Sequence, residues 1–84
     1  MLLSLRKQAG DDYLHWFRTD KRMGKRIHEL TKDIQRAPFD GTEKPEALKA
    51  NYRGFWSRRI DKEHRMIYAA TGDALIIVQL RHRY

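Results

Sequence analysis

The chain has 84 residues, no cysteine and a formal net charge of +7, and its isoelectric point is about 10.1. So short a chain supports one thin hydrophobic core, and a single domain spanning residues 1–84 is expected. The lack of cysteine excludes disulfides, thiolate catalysis and cysteine-bound zinc. No apolar run approaches the roughly 18 residues that a membrane helix needs, so a cytoplasmic protein without a membrane partner is expected. The positive charge instead favours a polyanion such as nucleic acid.

The first eighteen residues predict an edge strand and a short helix. Residues 1–6 are rich in leucine and favour a strand at the edge of a sheet. Asp11 and Asp12 precede an aromatic-rich segment, and acidic side chains at the start of a helix cap its free N–H groups. We therefore predict a helix over residues 11–18, with the two aspartates at its N-terminus.

A longer amphipathic helix is predicted over residues 19–36. Thr19 and Asp20 form a second N-cap signal, and Pro38 ends the helix shortly before itself. Apolar residues recur at spacings that place them on one helical face, at Met23, Ile27, Leu30 and Ile34. The remaining faces are strongly basic and carry Lys21, Arg22, Lys25, Arg26, Lys32 and Arg36.

The second half of the chain has the pattern of an antiparallel meander. A loop over residues 39–46 leads to a short strand at 47–50. Three further strands follow, separated by two short turns, at 55–60, 64–70 and 75–81. The last strand is continuously apolar, which predicts a position inside the sheet. The whole pattern predicts an α+β fold in which two N-terminal helices pack on one face of a small antiparallel sheet.

The residue types present narrow the chemistry that the chain can perform. Its 11 acidic residues are scattered, which disfavours a two-metal nuclease, and its 4 histidines show no metal-ligand spacing. No glycine-rich phosphate-binding loop occurs, so neither a metal nor another cofactor is expected. Metal-independent RNA cleavage stays open. In that reaction the RNA's own 2′-OH attacks the adjacent phosphate, and the protein supplies a base, cations and an acid.

Glu46 is a candidate base for this reaction, and Lys44 and Lys49 lie close to it in sequence. Candidate cations stand on adjacent predicted strands, at Arg58, Arg59 and Arg65. Side chains alternate across a strand, so Arg58 and Arg59 point to opposite faces and only part of this set can line one groove. Each residue also has a structural interpretation, as a solvated carboxylate or an exposed strand charge. The residues by themselves predict a basic α+β domain that is suited to RNA binding.

Several short segments carry a resemblance to a known family. Residues 44–49 read K-P-E-A-L-K, residues 54–60 read G-F-W-S-R-R-I and residues 63–68 read E-H-R-M-I-Y. These segments resemble the K-P-E-P-L-K loop and the G-[FY]-W-S-R-R-I…E-H-R-L-V-Y signature of the YoeB family of bacterial toxins. Residues 11–22 also resemble the first helices of that family. The resemblance resumes at the C-terminus.

The resemblance implies both a fold and an activity. YoeB toxins belong to the RelE-like superfamily and have a microbial-ribonuclease-like α+β fold. The activity implied is that of a ribosome-dependent endoribonuclease, which enters the ribosomal A site and cuts mRNA there. The implied partners are the ribosome, mRNA and a cognate antitoxin of the YefM type that holds the toxin inactive. Whether the chain also forms a homodimer is left open.

The resemblance also implies roles for individual residues. Glu46 corresponds to the general base, and Arg65 to the cation that binds the phosphate and stabilises the transition state. Lys49 would add a positive contact, and Tyr84 would organise the site. The residues expected to grip the RNA backbone are Lys44, Arg58 and Arg59.

The chain end departs from the family pattern at the position of the general acid. The family usually ends R-Y-H-Y, and its penultimate histidine protonates the leaving group, whereas this chain ends R-H-R-Y. Arg83 occupies that position and cannot release a proton near neutral pH. His82 is one residue away, and a one-residue offset in a strand turns a side chain to the opposite face. Either the chain end is irregular enough for His82 to reach the site, or the enzyme is attenuated.

Two alternatives to an active ribonuclease follow from these observations. In the first, the fold, the RNA grip and the antitoxin partner are kept while cleavage is impaired, because Arg83 replaces the acid. In the second, motivated by charge alone, the chain is a DNA-binding regulator. Residues 1–10 also depart from the family's usual first strand, which leaves the edge of the sheet undetermined.

Overall fold

The computed structural model describes residues 1–40 and 45–82. The elements, in chain order, are strand β1 (Leu2–Leu5), helices α1 (Lys7–Thr19) and α2 (Lys21–Arg36), strand β2 (Glu46–Ala47), a short 3-10 helix (Ala50–Tyr52) and strands β3 (Trp56–Arg59), β4 (Arg65–Ala70) and β5 (Ala74–Gln79). The five strands form one sheet in the order β1-β5-β4-β3-β2. The predicted α+β class is confirmed. None of the described helices combines the length and apolarity needed to cross a bilayer.

The sheet is mixed because its first strand runs parallel to its last. Strands β2 to β5 pair antiparallel, as predicted, but β1 pairs parallel with β5, and Leu2 lies opposite Ala74. A parallel pair needs a long connection between its strands, and the two helices and the meander lie between β1 and β5. Residues 2–5 therefore do form the predicted edge strand. The interior position predicted for β5 is confirmed, since it lies between β1 and β4.

Helix α1 begins at Lys7, four residues before its predicted start, and this corrects the role assigned to the two aspartates. Asp12 lies inside the helix and is 2% exposed. Its carboxylate accepts hydrogen bonds from the Leu80 backbone N–H and from the Gln8 side chain, both at 2.9 Å. Asp11 is exposed and pairs with Lys7. The capping interpretation was wrong because Asp12 faces the segment after β5, where Leu80 needs an acceptor.

Helix α2 follows its sequence pattern closely. The Asp20 side chain caps it by accepting a hydrogen bond from the Arg22 N–H at 3.1 Å, and the helix ends at Arg36, before Pro38. The four predicted core residues of this helix, Met23, Ile27, Leu30 and Ile34, are all buried. They pack against the sheet in a cluster that includes Trp16, Ile60, Met66, Tyr68, Leu75, Ile77 and Leu80. This cluster defines the helix side of the sheet.

We predict that Asp12→Ala destabilises the protein while Asp11→Ala does not. The first change leaves the buried Leu80 N–H without its charged acceptor, a loss of about 2–3 kcal/mol. The second removes an exposed ion pair, which contributes less than about 1 kcal/mol. Urea unfolding of the two single variants measures the difference. Equal stabilities would contradict the structural role of Asp12.

Candidate active site

Four polar side chains share the face of the sheet opposite the helices, which we call the helix-free face. Glu46 of β2 pairs with Ser57 of β3, and Arg59 of β3 pairs with Arg65 of β4. Residues that pair directly share a face, as do residues two apart in one strand. The register therefore brings Glu46, Ser57, Arg59 and Arg65 onto one surface. Their strand neighbour Trp56 packs against the helix-side core.

Arg65 and Glu46 form the centre of this surface. The Arg65 Nη2 atom lies 3.7 Å from the Glu46 Oε2 atom, and the Arg65 side chain is 18% exposed while that of Glu46 is 62% exposed. The Arg65 Nε–H donates a hydrogen bond to the Ser57 hydroxyl. A guanidinium held from two sides keeps one orientation, and it can bind two oxygens of a phosphate. The open carboxylate beside it can accept a proton from a ligand.

Arg59 is exposed on the same face, directly opposite Arg65. Like charges on directly paired residues destabilise a sheet. No acidic partner of Arg59 lies among residues 1–40 and 45–82. A bound anion would relieve the repulsion between the two guanidinium groups, so the pair is suited to a phosphate backbone.

Lys49 is exposed and stands immediately before the 3-10 helix, three residues after Glu46. Next to it, Leu48 is buried, and its N–H donates a hydrogen bond to the Phe55 carbonyl at 3.0 Å. This bond continues the pairing of β2 with β3 and fixes the segment that carries Lys49. Lys44 falls outside the described residues, so its predicted RNA contact stays a prediction.

Arg58 lies on the helix side of the sheet, which contradicts its predicted role as an RNA contact. It is 0% exposed. Its guanidinium donates hydrogen bonds to the Tyr68 hydroxyl at 3.1 Å and to the Ala37 and Asp40 carbonyls at 2.8 and 2.6 Å. These bonds tie the segment after α2 to the sheet. Arg58 is thus structural because strand alternation turns it away from the surface that Arg59 occupies.

Tyr68 completes the buried polar group around Arg58. Its hydroxyl donates a hydrogen bond to the Pro38 carbonyl at 2.8 Å while it accepts one from Arg58. Burial raises the pKa of Tyr68 above its ordinary value, although the nearby Arg58 acts in the opposite direction. The phenol therefore stays protonated at neutral pH and can serve as the donor to Pro38.

The chain end is irregular from residue 80 onward. Strand β5 ends at Gln79, and His82 has a φ of 65°. The His82 carbonyl accepts a hydrogen bond from the Arg65 N–H at 3.1 Å, and its N–H donates to His64 Nδ1 at 2.8 Å. The His82 ring lies 5.7 Å from the His64 ring, which itself packs edge-on against Trp16. Strand alternation does not apply to His82, and Arg83 and Tyr84 fall outside the described residues.

Two residues near the site went unassigned in the sequence. Strand alternation puts Ser57 on the same face as Arg59, and the structure adds its hydrogen bond to Arg65. His64 stood beside Arg65 in the E-H-R motif without a role, and the structure places it between Trp16 and His82. Strand alternation in the sequence could have pointed to Ser57. The role of His64 depends on where the end of the chain runs, which the sequence does not show.

Comparison with known proteins gives consistent results. The family model described as YoeB-like toxin of bacterial type II toxin-antitoxin system matches residues 5–84. Toxin YoeB of Escherichia coli strain K12 is 54% identical over 84 residues, which is 100% of both chains. A YoeB dimer from Staphylococcus aureus superposes with a TM-score of 0.93 at 38% identity, covering 100% of this chain and 98% of that one. A heterotetrameric YoeB-YefM complex from the same organism gives 0.92 at 38% identity, with 100% and 99% covered.

We predict that replacing the two adjacent arginines with methionine changes the free energy of unfolding by very different amounts. Arg58→Met leaves several buried acceptors without a donor and should lower the free energy of unfolding by about 2–5 kcal/mol. Arg59→Met changes an exposed side chain and should shift it by no more than about 0.5 kcal/mol. Urea denaturation followed by tryptophan fluorescence measures both. A stable Arg58→Met protein would contradict the structural role of Arg58.

Proposed function

This chain belongs to the YoeB-like toxin family of bacterial type II toxin-antitoxin systems, and we propose that it cuts mRNA in the ribosomal A site and so inhibits translation. RNA cleavage is the general activity of this family. The observation that carries the proposal is the Glu46–Arg65 pair, a carboxylate and a guanidinium 3.7 Å apart on the helix-free face. We propose that the protein acts in the cytoplasm, where the ribosomes are found.

The proposed reaction is metal-independent attack by the 2′-OH of the RNA. Glu46 accepts the proton of this hydroxyl as the 2′-oxygen forms a bond to the neighbouring phosphorus. The bond from phosphorus to the 5′-oxygen then breaks, which leaves a 2′,3′-cyclic phosphate and a 5′-hydroxyl. Arg65 stabilises the negative charge that develops on the phosphate oxygens. Its hydrogen bond to Ser57 supports this role, because a fixed cation needs no reorientation during the reaction.

The surrounding cations bind the RNA in this proposal. Arg59 is exposed on the same face as the pair, Lys49 is exposed three residues after Glu46, and Lys44 precedes Glu46 by two residues in the sequence. They contact phosphates of the mRNA or of ribosomal RNA. Such contacts position a nucleic acid without reading its sequence.

The leaving 5′-oxygen needs a proton, which Arg83 cannot supply near neutral pH. We assign this proton to His82 or to a group of the ribosome, and we assign to Tyr84 the organisation of the site. The irregular backbone at His82, and the hydrogen bond that its carbonyl accepts from the Arg65 N–H, support a place for His82 beside β4, the strand that carries Arg65.

A second candidate function is an attenuated module that binds RNA and antitoxin but cleaves poorly. Two observations favour it. Arg83 replaces the histidine of the family, and the His82 ring lies 5.7 Å from the ring of His64, which packs against Trp16 of α1. Arg83 could still stabilise charge in such a protein.

The partners follow the same family reasoning. A related toxin from Staphylococcus aureus is solved in a complex with YefM, and another structure of that toxin is a dimer. We propose a YefM-type antitoxin as the inhibitory partner of this chain, and homodimerisation as a further form of the free toxin.

We predict that Glu46→Gln lowers mRNA cleavage on programmed ribosomes by about 10²–10⁴-fold, the usual contribution of a general base. The change is nearly isosteric and exposed, so folding should be unaffected. Glu29→Gln, on the exposed surface of α2, is the matched control and should cleave like the native protein. The proposal is contradicted if Glu46→Gln and Glu29→Gln cleave equally well.

The substitution Arg83→His separates the two candidate functions. We predict that it raises the cleavage rate by less than about tenfold, because the native chain already has a proton source. A rise of about 10²-fold or more, the scale of a restored general acid, would instead establish the attenuated module. Arg53→His, on an exposed residue, controls for adding a histidine elsewhere. Both rates come from single-turnover cleavage on programmed ribosomes.

A further inference from the structure

His64 is a buried histidine to which the proposed reaction gives no role. It is 8% exposed and precedes Arg65, the first residue of β4. Its ring packs edge-on against Trp16 of α1, with centroids 4.8 Å apart. Its Nε2 atom lies 3.7 Å from a carboxylate oxygen of Glu63. Its Nδ1 atom points the other way and accepts the backbone N–H of His82 at 2.8 Å.

The described end of the chain, residues 80–82, is held largely by groups outside a regular strand ladder. The Leu80 N–H donates to Asp12, and the Leu80 carbonyl accepts from the Trp16 indole N–H, both at 2.9 Å. The His82 N–H donates to the His64 ring, and the His82 carbonyl accepts from the Arg65 N–H. Both polar backbone groups of His82 are therefore hydrogen-bonded, one to His64 in the turn before β4 and the other to Arg65, the first residue of β4.

This grip explains the backbone conformation of His82. A φ of 65° is in the left-handed region, which a residue other than glycine adopts at a cost and keeps only where its surroundings determine it. The hydrogen bonds to His64 and to Arg65 hold the His82 backbone in this conformation from two sides.

We propose that His64 is a positioning residue whose Nδ1 atom fixes the backbone of His82, one of the two proton sources proposed above, beside Arg65. The inference deepens the proposed ribonuclease function and rests on it for its catalytic part. It assigns His64 no contact with the RNA. It requires only that the Nδ1 atom be free of hydrogen, so that the neutral ring carries its proton on Nε2.

Two substitutions of similar size separate this acceptor role from packing. The Asn side chain places its amide oxygen the same number of bonds from the backbone as Nδ1, so His64→Asn can still accept the His82 N–H. The Leu side chain has a methyl group there, so His64→Leu cannot. Both variants lose the ring contact with Trp16. A purely structural role would make them behave alike.

The experiment combines NMR of the whole protein with cleavage on programmed ribosomes. At about pH 8, nitrogen–proton correlation spectra should show His64 with its proton on Nε2 and a slowly exchanging His82 amide. That protection should be retained in His64→Asn and lost in His64→Leu. His64→Leu should lower the maximal single-turnover rate by about 10–100-fold, the scale of a misplaced catalytic group, with little change in the ribosome concentration at half-maximal rate. His64→Asn should keep most of the native rate, and His28→Leu, on the exposed surface of α2, should keep all of it.

Each contrary result overturns the inference. A His64 ring protonated on Nδ1, a rapidly exchanging His82 amide in the native protein, or equal loss of rate in His64→Asn and His64→Leu would do so. If the native protein does not cleave mRNA at all, the proposed ribonuclease function fails. The positioning of His82 is then judged from the tautomer and from amide protection in the two variants.

Discussion

The pairing of β3 with β4 places Arg59 opposite Arg65, and this register decides which side chains meet the helices and which meet a ligand. With it, Arg65 lies diagonal to Ser57, its hydrogen-bond partner, and the pairing of β2 brings Glu46 to the same surface. A shift of one residue would turn every side chain of the strand to the other face. The core positions of Met66 and Tyr68 oppose such a shift, because it would take both residues out of the helix-side cluster. The hydrophobic core therefore sets the geometry of the candidate site.

The two adjacent arginines of β3 show how one residue type serves both faces. Arg58 uses its donors inside the protein, on the Tyr68 hydroxyl and on carbonyl groups after α2. Arg59 stays exposed beside Arg65. The net charge of +7 thus overstates the cations available to a polyanion. Part of the basic surface of α2 is likewise engaged within the protein, since Arg36 pairs with Asp33 and Arg26 donates to the Ile60 carbonyl.

The sequence predicted the features that depend on neighbouring residues, and the wrong predictions concern contacts between residues far apart in the chain. The spacing of apolar residues in α2 specifies a buried face and the continuously apolar run of β5 specifies an interior strand, so those elements were predictable. Asp12 was misassigned because its partner, Leu80, is 68 residues away. The parallel pairing of β1 with β5 joins the two ends of the chain, and no local sequence pattern indicates it. Alternation separated Arg58 from Arg59, but only the tertiary structure shows which of them is buried. The nearness of Glu46 and Arg65 likewise depends on register, and was expected only through the family resemblance.

The central claim is that the helix-free face, with Glu46 and Arg65, is the surface on which mRNA is cut. The most direct test is a structure of the protein on a programmed ribosome whose mRNA carries 2′-O-methyl groups, which block the attacking hydroxyl. We predict that a phosphate of the A-site codon lies within about 3.5 Å of the Arg65 guanidinium, with the modified 2′-oxygen next to Glu46. An mRNA bound instead along the basic surface of α2, with the Glu46–Arg65 pair facing solvent, would contradict the claim.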